Sequence, residues 1–111
     1  MKASKHFLAA LTIGCLLSAP AAFASCGLPS APSKIPDGST ASMQAMVSAM
    51  QTVKEYNHDV ETYLKCLDFE ERQNQLSSES VLSLHNAAVE RLQRVTAKFN
   101  KQVGIFKSKH S

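Results

Sequence analysis

Residues 71–78 read Glu71-Arg72-Gln73-Asn74-Gln75-Leu76-Ser77-Ser78, and this stretch decides between one long rod and two helices. On either side of it the core-type residues recur at alternating steps of three and four, the spacing of one helical face. Upstream they are Met43, Met46, Met50, Val53, Val60, Leu64 and Leu67, with Asn57 in the one missing place. Downstream they are Val81, His85, Ala88, Leu92, Val95, Phe99 and Phe106. The heptad register is unbroken from Met43 to Phe106, so a single coiled-coil helix of ~96 Å is the alternative. Three successive seam positions between the two sets, however, hold Glu71, Asn74 and Ser78. A seam with three polar residues in a row gains nothing by staying zipped. The expected fold is therefore all-α: an antiparallel helical hairpin over 42–106, with helices over about 42–72 and 77–106 and a basic tail over 107–111. Ser42 or Thr40 suits the first N-cap and Ser77 the second, with Leu76 and Val81 spaced as a hydrophobic staple across Ser77.

The residues ahead of the hairpin have a different composition. Between 25 and 41 lie Gly27, Pro29, Pro32, Pro36 and Gly38, interspersed with serines. Proline removes amide donors and restricts the residue before it, so this segment is an extended arm with a turn at Pro36-Asp37-Gly38. Cys26 lies 11 residues before Asp37, which is ~34 Å in polyproline II. Cys66 lies 23 residues beyond Met43, which is ~35 Å along an α-helix. An arm that turns back along the first helix thus brings the two cysteines side by side. Polyproline II repeats every three residues, placing Cys26, Pro29, Pro32 and Ile35 on one face. Tyr56, Tyr63 and Cys66 share a face of the helix, so the prolines are expected to pack on tyrosine rings.

The first 24 residues have the form of an export signal. Lys2 and Lys5 precede an apolar run from Phe7 to Leu17, too short to span ~30 Å of hydrocarbon. Ala22 and Ala24 offer small residues for cleavage between Ala24 and Ser25. Acylation of Cys26 as a lipoprotein is the lesser alternative, because Phe23 stands where a lipobox prefers leucine. Of 111 residues, removal of these 24 leaves 87, enough for one small domain with a limited core. It also takes two of twelve basic residues against nine acids, so the formal charge drops from +3 to +1. Net charge therefore gives no support to a nucleic-acid partner. Cys15 leaves with the signal, and Cys26 and Cys66 remain as an even pair in a periplasmic or secreted protein. An oxidising compartment favours joining them.

Taken together, Cys26 with Pro29, Pro32 and Pro36-Asp37-Gly38, then Tyr63-Leu64-Lys65-Cys66-Leu67, His85-Asn86-Ala87-Ala88-Val89 and Phe99-Asn100, resemble a group of small uncharacterised exported proteobacterial proteins. The resemblance implies an exported bacterial protein and no particular mechanism. In architecture the proline–tyrosine arrangement also resembles the pancreatic-polypeptide fold.

Catalytic patterns are missing from the sequence: there is no nucleophile elbow, no glycine-rich phosphate cradle and no histidine pair at ligand spacing, so an enzyme is not expected. Met43, Met46 and Met50 form a thioether row of the kind that suits Cu(I). The same spacing is that of a core seam, and no metal or cofactor is expected. His85 is expected to be half-buried on the seam, and Asn57 to act as a determinant of register or oligomeric state. Charge is unevenly spread, with seven acids and two bases from Glu55 to Glu79 and six bases without an acid from Arg91 to Ser111. The basic end complements a helix dipole and offers a weak contact with anionic envelope surfaces. The second helix carries more apolar surface than one partner helix covers: Leu82, Val89 and Val103 on one flank of its seam, Leu84 and Ile105 on the other. The expectation is a noncatalytic structural or interaction module of the cell envelope, pairing as a homodimer or with another helical envelope protein. The alternatives are a periplasmic Cu(I) or small-ligand carrier and a peripheral envelope-binding protein.

Overall fold

The computed structural model describes residues 26–111; the expected export signal, and the cleavage expected between Ala24 and Ser25, lie outside them. Two helices, α1 (Met43–Arg72) and α2 (Ser78–Lys109), pack against each other as an antiparallel hairpin, and the arm is tied back by a disulfide between Cys26 and Cys66. Ser42 caps α1 by accepting from the Ala45 amide at 3.1 Å, and Ser77 caps α2 by accepting from the Ser80 amide at 3.1 Å. Leu76 is half-buried and Val81 buried, as a staple requires.

The turn is a Schellman motif. The Gln75 amide donates to the Glu70 carbonyl at 2.8 Å and the Asn74 amide to the Glu71 carbonyl at 3.0 Å, satisfying two carbonyls that α1 leaves open. This geometry places Asn74 at φ 58°, in the left-handed region. Asparagine tolerates it through local hydrogen bonding, whereas a β-carbon without that compensation costs roughly 1–2 kcal/mol. Asn74→Ala is therefore expected to lower unfolding stability by about 1 kcal/mol, while Asn74→Gly holds or slightly raises it. Urea unfolding followed by helical circular dichroism measures both.

The core rows of α2 are as expected: Val81, Ala88, Val95, Phe99 and Phe106 are buried, with Leu92 half-buried against them. In α1 one expected row is replaced. Met46, Val53, Val60 and Leu67 are buried, but their companions are Ala49, Tyr56, Tyr63 and Glu70, three residues further on. Met43, Met50 and Asn57 are exposed, and Leu64 is half-buried. The arm is the physical reason. It lies along α1, where Ser33–Pro36 border Ala45, Ala49 and Thr52, and Cys26 and Pro29 border Asp59, Thr62 and Tyr63. Ala31 and Ile35 pack on the core cluster, and Tyr56 and Tyr63 are only 3% and 5% exposed. A third layer on that side draws the tyrosine row inward and turns the methionine row outward.

The start of the hairpin is held where the arm turns. The Asp37 carboxylate accepts from the Ser39 hydroxyl at 2.7 Å and its amide at 2.9 Å, which holds its pKa below the usual carboxylate value. Gly38 is buried, and its amide donates to Gln102 Oε1 of α2 at 2.8 Å. At the other end of the sequence, α2 continues through Lys107 and Lys109 and not into a separate tail from 107. The His110 ring stacks on Phe106 at 4.0 Å and lies 2.8 Å from the Phe106 carbonyl through Nδ1, closing the last turn. Lys107 and Lys109 then stand where the dipole favours cations.

Candidate functional site

A helical hairpin has two long grooves between its helices. The arm occupies one, on the side of α1 that carries Ala49, Tyr56, Tyr63 and Glu70. The opposite groove has no such cover. On α1 it is bordered by Met43, Met50, Asn57 and Leu64, which recur every seven residues. On α2 it is bordered by Leu82, Val89, Thr96 and Val103, with the same repeat. Right-handed helices packed antiparallel place these two rows on the same side of the hairpin. At the closed end Glu71, Ser78, Val81, Leu82 and His85 line a shallow depression, where Ser78 Oγ donates to Glu71 Oε1 at 2.8 Å.

The apolar content of this groove is unusual for a surface. Met43 and Leu82 are 63% and 62% exposed and Met50 is 38% exposed, while Val89, Val103 and Leu64 are half-buried. Val47, beside Met43 and Met50 on α1, is also exposed. Two helices side by side over 30 residues offer a face about 45 Å long and about 20 Å wide. That is on the order of 900 Å², close to the ~800 Å² that each partner of a stable protein complex contributes.

The five α2 residues expected to widen its apolar surface divide between the two sides. Leu82, Val89 and Val103 belong to the uncovered groove. Leu84 and Ile105 lie on the arm's side of α2, where Ile105 is half-buried and Leu84 is exposed. Asn57 stands among the groove residues, exposed, with its Nδ2 donating to Glu61 at 3.2 Å. It does not occupy the core seam.

The methionine row does not converge on a metal. Met46 is buried in the hairpin core, whereas Met43 and Met50 face outward from it. The closest ligand-type cluster among the described residues is Cys26, Cys66 and Glu70, whose sulfur and carboxylate atoms lie within 4.8 Å of one another. The two sulfurs are bonded to each other, so the trio is a disulfide with a carboxylate beside it. Glu70, buried to 8% exposure, escaped the sequence reading although it continues the row Tyr56, Tyr63 by seven residues. His85 is half-buried, as expected. Among the described residues no helix is long and apolar enough to cross a membrane. Comparison with protein-family models, with curated proteins and with solved structures finds no match to this chain.

Proposed function

We propose that the chain is a noncatalytic exported module of the bacterial cell envelope that works by protein–protein contact through its uncovered groove. The observation that carries this reading is the groove itself: a face of interface size with apolar residues on both sides of Asn57 and Thr96, left bare while the arm covers its counterpart. The form of the first 24 residues supports export, and a disulfide is compatible with an oxidising compartment. The separation of Met46 from Met43 and Met50 removes support from a Cu(I) carrier. The basic end of α2 offers anionic surfaces only a weak, salt-screened contact, secondary to the groove.

Site-specific photocrosslinking in cells tests the proposal. A benzophenone side chain in place of Leu82 is expected to form a discrete protein adduct in the envelope fraction. The same group in place of Gln44, which is exposed and lies off the groove rows, is expected to form none. Adducts confined to the cytoplasm, or no adduct from Leu82, would overturn it.

A further inference from the structure

We infer that the groove's partner is a second copy of this chain, laid against the first in antiparallel orientation, α1 on α1 and α2 on α2. The inference rests on the proposed role of the groove and adds to it the identity and orientation of the partner. The charge distribution carries it. Cut at mid-length, the hairpin's closed half (58–92) holds seven acids and three bases, a net −4. The open half, with the arm (26–57 and 93–111), holds two acids and seven bases, a net +5. Two copies laid parallel would set like charge against like; laid antiparallel, each acidic half meets a basic one.

The rim of the groove repeats this polarity residue by residue. Along α2 the outer row reads Glu79, Asn86, Gln93, Asn100, Lys107 at intervals of seven, all exposed. A two-fold axis at the level of Gln93 sets Glu79 against Lys107 of the second copy and Asn86 against its Asn100. Along α1, Asn57 lies fifteen residues before Arg72, the same rise from the turn as Gln93, fifteen beyond Ser78. The same axis therefore passes Asn57 and sets Lys54 against Glu61 of the second copy. Inside the rim it brings Met50 to Leu64 and Leu82 to Val103, apolar on apolar. One axis thus pairs the α2 rim, Lys54 with Glu61 and the inner apolar residues of the groove, as an isologous interface requires, while at the ends of α1 it sets Met43 level with Glu71 of the second copy. Among the described residues the only ion pair joins Arg94 and Glu90, at 4.0 Å, so Lys54, Lys107 and Glu79 remain free for such contacts. The result is a four-helix bundle with both arms on its outer faces.

Charge reversal tests the arrangement. The doubly substituted chains K54E/K107E and E61K/E79K each place like charges at all four predicted contacts of their own dimer. Mixed together, they restore opposite charges at all four. Sedimentation equilibrium at low salt is expected to show a dimer for the unmodified chain. Each variant alone should be weakened at least about tenfold, and the equimolar mixture should recover most of that loss as heterodimer. Helical circular dichroism establishes that each variant is folded. Variants that dimerise as well alone as mixed would overturn the antiparallel geometry. An unmodified chain that is monomeric at about 100 µM would overturn self-pairing altogether. A Leu82 crosslink of twice the chain mass supports it, whereas an adduct of a different mass overturns it and leaves the interaction role standing.

Discussion

Replacing Cys26 and Cys66 together by serine is expected to lower the stability of the folded chain by about 4 kcal/mol. The bond closes a separation of 40 residues, and a covalent link over that length removes this much conformational freedom from the unfolded chain. Against a total of ~5–15 kcal/mol for a small domain, the loss is a large fraction. The arm has little else to hold its first residues: from Cys26 to Pro36 its backbone makes no hydrogen bond to either helix, and its contacts are those of Ala31, Ile35 and the prolines. Once released, it uncovers Tyr56 and Tyr63, which α2 alone does not shield. Thermal unfolding with and without reductant is the measurement. The midpoint should fall by about 15 °C or more, with tyrosine fluorescence reporting exposure of the rings before the helical signal is lost. An unchanged midpoint would mean that the arm docks without its staple.

Gly38→Ala is expected to cost about 2–3 kcal/mol, the upper range for forcing an atom into a packed site. A β-carbon there would overlap the Gln102 carbonyl oxygen and stand 2.9 Å from the Phe106 amide nitrogen. Both belong to the backbone of α2, inside a helical hydrogen-bond ladder that cannot yield as a side-chain tip can. The turn must lift away, and the bond from the Gly38 amide to Gln102 Oε1 goes with it. The other two described glycines are controls, since a β-carbon at Gly27 or Gly104 meets nothing within 4 Å. Gly104 lies exposed within α2, so Gly104→Ala should raise stability by up to about 1 kcal/mol, opposite in sign to Gly38→Ala. Equal effects at the two positions would be inconsistent with the close approach of the turn to α2.

The hairpin was legible because its punctuation is local. Ser42 and Ser77 cap by their own side chains, and the polar seam residues Glu71, Asn74 and Ser78 mark the reversal. The arm was legible because chain lengths in polyproline II and α-helix match, which brought Cys26 and Cys66 together on paper as they are in space. The choice between two rows flanking Met46, Val53, Val60 and Leu67 was harder. By hydrophobicity Met43, Met50 and Leu64 outrank Ala49, Tyr56, Tyr63 and Glu70, and periodicity fits both sets equally. What decides is a third layer. Tyrosines that face the arm are covered on that side, which makes Tyr56 and Tyr63 core residues rather than surface. Assignment of the other row to the core hid the α1 side of the groove, because Met43, Met50 and Leu64, placed in the interior, could not be seen as surface, whereas Leu82, Val89 and Val103 on α2 were legible as uncovered. The end of α2 was placed at Phe106, where its apolar row ends, whereas the helix runs on to Lys109 and His110 closes it by stacking on Phe106.

The disulfide also orders events in time. The helices and their turn are made of contacts near in sequence, which form within microseconds to milliseconds. Closing Cys26 onto Cys66 needs an oxidant and takes seconds to hours. The hairpin therefore exists first without its cover, with the tyrosine side open and the methionine side also bare. During that interval it has two adhesive faces instead of one. Oxidation ends the interval by sealing the first, so the redox chemistry of the compartment sets how long an ambiguous, two-sided species persists before a one-sided one replaces it.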